Sequence, residues 1–396
     1  MKNKNENKFP LVVKTLLGLE DILAQELKEI GATDIETGKR VVYCTGSQEI
    51  MYKANYWCRT ALHVLKPIAS FDIATEDDLY NKINKIKWEE LLSTRGTLSV
   101  DAVVSNSIFT HSHYVSLRTK DAIVDRFRDM FDMRPNVEIE NPDLRINVHL
   151  SKNKCDISLD SSGYSLHKRG YRVQTGIAPL SEVLAAGIIL LSGWDKQSNF
   201  IDPMCGSGTI VTEAALIALN IPPGFYRKSF GFEKWKDFDS ELWEKIKTDA
   251  FDLQADFEGE IWGSDISETA IEVAIENATK AKLHKDITFY VESLQNQLPP
   301  EGGGTMVINP PYGERIKPDD IVQLYKEIGD ALKQNYKGYN AWIISSDLNA
   351  LKHIGLKPTK KIAINNGPLE CKLHKFEIFE GSRYKKPKED SVSEEE

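Results

Sequence analysis

Short apolar runs alternate with longer amphipathic stretches along most of the chain. The runs are rich in Val, Ile and Phe and end at polar or glycine-containing turns, a pattern that predicts buried β-strands. The longer stretches place apolar residues every three to four positions, which predicts helices that bury one face. Strands are predicted at residues 11–13, 41–43, 199–201, 260–265, 287–291, 306–308, 340–344, 361–364 and 372–379. Helices are predicted at residues 19–30, 119–132, 210–219 and 268–281. The pattern therefore indicates an α/β protein.

The order of these elements suggests how the chain is divided. Residues 1–61 alternate strand and helix, as a small ferredoxin-like module does, and residues 62–165 contain the elements of a second α/β module. Residues 175–382 have the pattern of a parallel sheet flanked by helices, and Asn366-Gly367 predicts a hairpin between the last two strands. The charged tail, residues 385–396, is predicted to be disordered.

An insertion at about residues 222–257 interrupts the third region. It separates Asp202 from Asp265 by far more than the roughly 20 positions usual between the corresponding residues of dinucleotide-binding folds. The insertion contains Trp235 and Trp243. We interpret it as a surface subdomain with its own small core, in preference to a lid or an RNA contact.

A glycine turn follows the strand predicted at residues 199–201. Gly206 and Gly208 allow the backbone to approach a ligand, and the next helix presents its N-terminus there. No lysine follows Gly208, as a P-loop would require, and Val211 replaces the last glycine of the dinucleotide fingerprint. Asp202 would repel a pyrophosphate, but it suits a cofactor with a positively charged amino group, such as S-adenosylmethionine. The alternative is that Asp202 only caps the following helix.

Two further strand ends supply polar side chains to the same predicted site. Asp265 ends the next strand, where a carboxylate commonly holds ribose hydroxyls. Glu292 and Ser293 follow the strand at residues 287–291, near the expected adenine, although either could remain in solvent. The candidate cofactor-binding residues are Asp202, Pro203, Cys205, Gly206, Gly208, Thr209, Asp265, Ile266, Glu292, Ser293 and Asn309.

The run Asn309-Pro310-Pro311-Tyr312, directly after an apolar strand, carries the candidate catalytic residues. The Asn309 amide oxygen can accept one N–H of a planar amine, and proline has no N–H, so the backbone carbonyls here remain free acceptors. The Tyr312 ring offers a face on which a flipped base can stack. Together these groups suit the alkylation of an exocyclic amine. The alternative is a proline turn after a buried strand, with Tyr312 as ordinary packing.

With these motifs the chain resembles class I methyltransferases that modify exocyclic amines. It is most similar to bacterial large-subunit ribosomal RNA guanine-N2 methyltransferases that carry a THUMP RNA-binding domain. The likeness is carried by residues 159–172, 178–182, 202–209, 223–235 and 309–315. It implies a Rossmann-like methyltransferase domain with a C-terminal antiparallel hairpin, preceded by a ferredoxin-like plus THUMP α/β RNA-binding region, with the THUMP domain at residues 62–165. One departure is that Ser293 stands where the family usually has Asp.

The resemblance also implies an activity. The expected reaction is transfer of a methyl group from S-adenosylmethionine to the N2 amine of a guanine in 23S rRNA. The longest members of the family carry a second methyltransferase domain, for which this chain has no room, so only the N2 activity is expected. A tRNA guanine-N2 substrate remains open, as do adenine N6 in DNA and a protein glutamine. A non-enzymatic alternative is a ribosome-assembly factor whose cofactor site is vestigial.

The charge distribution bears on the RNA partner. The chain has 50 Lys and Arg against 59 Asp and Glu, a formal charge of −9, whereas phosphate contacts require cations. Basic residues nevertheless concentrate between residues 152 and 172. The alternative is a solvated surface of mixed charge. The candidate RNA-binding residues are Lys152, Lys154, His167, Lys168, Arg169 and Arg172.

The remaining residue types predict neither a metal nor a membrane. The five cysteines are scattered and lack CxxC spacing, and the eight histidines form no ligand cluster, so neither a metal site nor a disulfide framework is expected. No signal peptide is recognisable, and the longest apolar run, residues 183–191, is too short to span a bilayer. A cytoplasmic protein is therefore expected.

Overall fold

The computed structural model describes residues 7–173, 180–311 and 318–379, and the fifteen strands of these ranges form two sheets. The strands are β1 Phe9–Lys14, β2 Thr33–Gly38, β3 Val41–Gly46, β4 His63–Asp72, β5 Thr97–Ser105, β6 Asn136–Val137, β7 Leu144–Ser151, β8 Lys154–Asp160, β9 Asn199–Asp202, β10 Ile261–Asp265, β11 Thr288–Val291, β12 Gly304–Ile308, β13 Tyr339–Ser345, β14 Lys360–Asn366 and β15 Leu369–Glu377. The helices are α1 Glu20–Glu29, α2 Gln48–Trp57, α3 Glu76–Asn84, α4 Trp88–Leu91, α5 Ser112–Phe131, α6 Glu182–Ser192, α7 Thr209–Ala218, α8 Ser240–Asp252, α9 Glu268–Lys280 and α10 Pro318–Asn335.

The first sheet has eight strands in the order β2-β3-β1-β4-β8-β7-β5-β6. Because β4 pairs antiparallel with both β1 and β8, the two predicted N-terminal modules share this sheet. Alternate residues of β1, Leu11 and Val13, are buried and pack in one core with Leu23 and Leu27 of α1. This alternation of period two buries one face of the sheet under helices, as the sequence pattern predicts.

The second sheet has seven strands in the order β11-β10-β9-β12-β13-β15-β14. The strands from β11 to β13 are parallel, and β15 runs antiparallel to both of its neighbours, β13 and β14. The carboxyl ends of the parallel strands therefore meet at one edge. The chain order reverses between β9 and β12, and a sheet of this kind binds its ligand in the crevice at such a switch point.

One helix is longer than the sequence pattern predicted. Helix α5 begins at Ser112 instead of Thr119. The buried residue Val115 lies one turn before the buried residue Thr119, so the apolar face continues towards the N-terminus. Ser116 and Arg118, which lie between these two positions, interrupt the apolar pattern in the sequence.

The insertion does not form a core of its own, so that interpretation was wrong. Four of its aromatic residues pack instead in the core of the first sheet, namely Phe230, Phe232, Trp235 and Trp243. The ring of Phe232 stacks on Tyr52 with centroids 4.1 Å apart, and Trp243 meets Tyr56 edge-on at 5.1 Å. The insertion therefore connects the methyltransferase-like half of the chain to the N-terminal sheet.

Candidate functional site

A cavity of about 760 Å³ opens at the carboxyl edge of the second sheet. Its walls come from the ends of β9, β10 and β12, the turn after β9, the residues after β11 and one face of α10. The lining residues are Leu180, Asp202, Pro203, Met204, Cys205, Gly206, Ser207, Thr209, Ile210, Asp265, Ile266, Ser267, Thr269, Ala270, Val273, Leu294, Gln295, Asn309, Pro311, Leu324 and Glu327. The size is in the range usual for cofactor sites.

The glycine turn has a backbone conformation that glycine favours. Gly206 and Gly208 have φ angles of +52° and +76°, in the left-handed region. The N–H of Gly206 donates to the Asp265 carboxylate at 3.0 Å, which ties the turn to the end of β10. A Cβ on Gly208 would lie 3.0 Å from the Cβ of Ala274, so helix α9 leaves no room for a side chain there.

Asp202 places a buried carboxyl at the wall of the cavity. It is 1% exposed, and its Oδ1 accepts a hydrogen bond from the N–H of Met204 at 3.1 Å. Burial, together with a smaller contribution from the charge of Asp265, raises the pKa of Asp202 to about 8. Among the described residues, the only charged group that shifts the pKa of this carboxyl is Asp265, which is itself an acid. A cofactor with an ammonium group would supply the missing counter-charge, so the site fits S-adenosylmethionine.

The alternative role for Asp202, as a cap of the following helix, is wrong. Helix α7 begins at Thr209, and its capping position is Gly208. The Asp202 carboxyl bonds to the backbone of the turn instead.

Asp265 is held at the neighbouring strand end by two backbone hydrogen bonds. Its Oδ1 accepts from the N–H of Ser267, and its Oδ2 accepts from the N–H of Gly206, both at 3.0 Å. Each carboxylate oxygen keeps a second lone pair. The side chain lines the cavity, so these lone pairs can accept hydroxyl groups such as those of a ribose.

Three predicted cofactor residues do not line the cavity. Gly208 lies behind its wall, and Glu292 and Ser293 stop short of it. The Glu292 carboxylate instead accepts from the N–H of Ser293 at 2.7 Å and from the amide of Asn296 at 3.2 Å. The next two residues, Leu294 and Gln295, line the cavity in their place. The direct contacts predicted for Glu292 and Ser293 are therefore corrected.

The amine-binding candidates lie where β12 ends. Asn309 and Pro311 line the cavity, whereas Pro310 is buried beside it. The Asn309 Oδ1 atom is buried and, within the described ranges, has no hydrogen-bond partner. An unsatisfied buried carbonyl oxygen costs about 1–3 kcal/mol, so a ligand N–H at this point would be stabilising. Tyr312 lies outside the described residues.

The predicted RNA-binding residues fall into separate groups. Lys152 and Lys154 are exposed at the turn between β7 and β8. Lys168 is also exposed, but it follows the opposite end of β8, which spans roughly 20 Å. His167 is partly buried, and its Nδ1 lies 2.9 Å from the Ser165 hydroxyl. Burial, followed by the charge of Lys168, lowers the pKa of His167 to about 4, so it is neutral at pH 7.

Arg169 is buried and Arg172 is largely buried, and both bind carboxylates of the protein, which corrects their predicted contact with RNA. Arg169 is 1% exposed, and its Nε lies 3.5 Å from a carboxylate oxygen of the buried Glu213. Arg172 forms a 3.0 Å ion pair with Glu182. The basic run was recognisable in the sequence, but its acidic partners are on helices that approach only in the folded chain.

Within residues 7–173, 180–311 and 318–379, no three His, Cys, Asp or Glu side chains are arranged to hold a metal ion. The helices of these same ranges are too short or too polar to cross a bilayer. All five cysteines are buried.

Sequence reasoning missed several residues that form the cavity. Leu324 and Glu327 belong to α10, a helix that was not predicted, and Gln295 bonds to Glu327 at 3.2 Å. Leu180 lies within the motif at residues 178–182, to which no role had been given. The amphipathic pattern of residues 318–335 is the signal that could have identified the helix.

Family comparisons divide the chain in the same order as the structure. Residues 10–65 match the RlmL ferredoxin-like domain, residues 73–160 match the THUMP domain, and residues 169–375 match the RMKL-like methyltransferase domain.

Related sequences extend over nearly the whole chain. A Synechocystis protein, slr0064, which is provisionally named an RNA methyltransferase, is 38% identical over 93% of this chain and 97% of its own length. Proteins of Syntrophotalea carbinolica and Psychromonas ingrahamii, both named ribosomal RNA large subunit methyltransferase K/L, are 40% and 42% identical over 92% of this chain. The chain spans about half the length of these two relatives, 53% and 50% respectively.

Solved structures share the architecture. SMU.472, a provisionally assigned methyltransferase crystallised with S-adenosylhomocysteine, aligns with a TM-score of 0.86 and 30% identity over 95% of this chain and 100% of its own. A Listeria monocytogenes protein, predicted to be an N6-adenine-specific DNA methylase, aligns with a TM-score of 0.84 and 31% identity over 94% of this chain and 97% of its own. These matches confirm the predicted fold and the predicted cofactor, S-adenosylmethionine.

Proposed function

Since the chain belongs to the RMKL-like methyltransferase family and carries a THUMP domain, we propose that it methylates the exocyclic N2 amine of a guanine in large-subunit ribosomal RNA. The proposed methyl donor is the family's cofactor, S-adenosylmethionine. The THUMP region would bind the RNA, and the target base would leave the helical stack to enter the cavity.

The observation that carries this proposal is the unsatisfied oxygen of Asn309. Its Oδ1 is buried at the wall of the cavity without a partner in the described part of the chain. Among the bases, an amide oxygen of this kind matches an N–H of an exocyclic amine. By accepting one N–H it would fix the plane of the amine, so that the nitrogen lone pair faces the methyl donor.

The chain's own residues would act mainly by position. Asp202 would hold the amino group of the cofactor and Asp265 its ribose. The bound sulfonium supplies an activated methyl group, so the protein needs to provide alignment more than acid–base chemistry. Pro311 lines the cavity beside Asn309 and limits the positions that a base can adopt. The Pro310 carbonyl and the Tyr312 ring remain proposed contacts of the amine and the base.

Two observations support an RNA substrate. The THUMP match covers residues 73–160, and the exposed side chains of Lys152 and Lys154 lie at a turn of this region. Relatives 40% and 42% identical are named for large-subunit ribosomal RNA. The activity of those longer proteins is extended here to a chain that covers about half of them.

A second candidate is methylation of adenine N6 in DNA. The name of the Listeria relative favours it, and the Asn309 oxygen would accept an N–H of adenine as well as one of guanine. The THUMP domain favours RNA over DNA. A guanine in tRNA would be methylated by the same chemistry as one in ribosomal RNA, and separate incubations with the two kinds of RNA distinguish them.

Incubation with labelled S-adenosylmethionine and separate pools of unmodified ribosomal RNA, tRNA and duplex DNA tests the proposal. Label is expected in large-subunit ribosomal RNA alone. The variant Asn309→Ala should lose about 100-fold or more in turnover, because the amine is no longer oriented, and much less in affinity for S-adenosylhomocysteine. Label in DNA alone, or unchanged turnover of the variant, would overturn the proposal.

A further inference from the structure

The segment of residues 169–173, here called the linker, joins the first sheet to the methyltransferase domain. Arg172 in the linker makes three polar contacts with that domain. Its Nη2 donates to the Thr209 hydroxyl at 2.9 Å and to the Leu180 carbonyl at 3.1 Å. Its Nε lies 3.0 Å from the Glu182 carboxylate. The planar fork of an arginine can serve several acceptors at once in this way.

Two of these three partners form walls of the cofactor cavity. Thr209 and Leu180 line it, and they approach it from different parts of the chain. Arg172 itself does not line the cavity. Its side chain is 13% exposed, and that of Glu182 is 7% exposed, so the ion pair is largely withdrawn from water. The side chain therefore lies behind the wall and holds two pieces of it together.

A second contact ties the linker to the glycine turn. The N–H of Val173 donates to the Asn277 Oδ1 at 2.8 Å, and the Asn277 amide donates to the Ser207 carbonyl at 3.1 Å. Asn277 is 2% exposed. Ser207 lines the cavity, so the linker is tied to three lining residues through two neighbouring positions.

The linker is also fixed at its other end. The Tyr171 hydroxyl donates to Glu213 of helix α7 at 3.0 Å, and a guanidinium nitrogen of Arg169 donates to the Arg59 carbonyl of the N-terminal region. Arg172 is therefore held on a stiff segment, which a residue that positions others requires.

We propose that Arg172 is a positioning residue of the cofactor site: it acts through Thr209 and Leu180 and does not contact RNA. The inference rests on the cofactor that the family shares and is independent of the RNA substrate proposed above. Substitution should therefore change the affinity for the cofactor while leaving the affinity for RNA as it is. Substitution of a cation that contacts RNA would have the opposite effect: it would lower the affinity for RNA and leave the affinity for the cofactor unchanged.

The variant Arg172→Lys tests the inference. A lysine retains the charge beside Glu182 but not the fork that reaches Thr209 and Leu180 together. Calorimetry with S-adenosylhomocysteine should show a dissociation constant raised about tenfold, whereas the thermal unfolding temperature stays within a few degrees of wild type. Arg40→Lys, at an exposed turn, is the matched control and should leave the dissociation constant unchanged.

A double-mutant cycle with Thr209→Val separates positioning from a general loss of fold. If Arg172 acts through Thr209, the two substitutions together should raise the dissociation constant by less than the product of the single effects. If Arg172→Lys does not fold, Glu182→Gln carries the test, because it removes the carboxylate that pairs with Arg172 and does not itself line the cavity. The Glu182→Gln variant should then bind S-adenosylhomocysteine more weakly than wild type, and unchanged affinity would overturn the inference.

The outcomes that overturn the inference are distinct. Unchanged affinity of Arg172→Lys for S-adenosylhomocysteine would show that the contacts do not shape the cavity. Multiplicative effects in the cycle would show that Arg172 does not act through Thr209. Weaker binding of ribosomal RNA at constant cofactor affinity would show that Arg172 is an RNA contact. None of these measurements requires turnover, so failure of the proposed function would leave them interpretable.

Discussion

Replacement of Asp202 by asparagine should change the number of protons that the protein releases when it binds the cofactor. The carboxyl is buried at the cavity wall, and its burial raises its pKa from 3.8 to about 8. At pH 7 most of the cofactor-free protein therefore carries a protonated Asp202. The ammonium group of a bound cofactor favours the ionised carboxylate. Binding at pH 7 should thus release about one proton from wild type, and none from the Asp202→Asn variant.

The same pKa predicts how stability depends on pH. A carboxyl whose pKa is higher in the folded than in the unfolded protein contributes its full stability below about pH 4. That contribution is lost as the pH rises towards 8, because the unfolded protein releases the proton first. The complete effect is about 6 kcal/mol. The free energy of unfolding of cofactor-free wild type should fall across this range relative to that of the variant.

Calorimetry in buffers of different ionisation enthalpy measures the released proton. The binding heat of wild type should vary with the buffer and that of Asp202→Asn should not, while the affinity of the variant falls by about 10- to 100-fold. Asp129→Asn, an exposed substitution far from the cavity, should behave as wild type. A wild-type binding heat that does not depend on the buffer would refute the reasoning, since Asp202 would then already be ionised.

Four further predictions concern the glycine turn, the buried ion pair of Arg169, the insertion and the turn between β7 and β8. Gly208→Ala should weaken cofactor binding and destabilise the fold by about 1–2 kcal/mol, because Gly208 has a left-handed backbone and Ala274 lies close to it. Gly367→Ala is the control: a Cβ at Gly367 would meet no atom within 4 Å, so calorimetry should show an unchanged affinity for the cofactor. Arg169→Met should cost about 3–5 kcal/mol in urea unfolding, because it leaves Glu213 charged and buried; unchanged stability would contradict this. Trp243→Ala should cost about 3–5 kcal/mol, because Trp243 belongs to the core of the first sheet; a loss below about 1 kcal/mol would contradict that placement. When both Lys152 and Lys154 are replaced by Glu, the slope of the logarithm of the RNA-binding constant against the logarithm of the salt concentration should fall in magnitude by about one to two, and the affinity for the cofactor should not change. An unchanged slope would show that this turn does not contact RNA.

The positions of the main site residues were predictable because strand ends are visible in the sequence. Asp202, Asp265 and Asn309 each follow or end an apolar run, and the carboxyl ends of neighbouring parallel strands meet at one edge of a sheet. Those three side chains line one cavity, as this reasoning requires. The antiparallel hairpin at the end of a parallel sheet was implied by the family resemblance, since periodicity alone does not specify which strands pair.

The burial of charged residues was not predictable in the same way. Arg169 and Arg172 belong to a basic run, and their acidic partners, Glu213 and Glu182, belong to apolar helices further along the chain. A local charge pattern does not indicate which carboxylate will approach in the folded protein. The prediction that the insertion forms its own core was wrong for a related reason. Aromatic residues such as Trp243 predict burial but do not specify the core that they join.

In the proposed reaction the cavity presents an exocyclic guanine amine to the methyl group. The methylated atom can be identified by incubating unmodified large-subunit ribosomal RNA with isotopically labelled S-adenosylmethionine, digesting the product and analysing the labelled nucleoside by mass spectrometry. We expect N2-methylguanosine, formed by wild type and not by Asn309→Ala. Label on a ring nitrogen of guanine or on adenine N6, with cofactor binding intact, would contradict it.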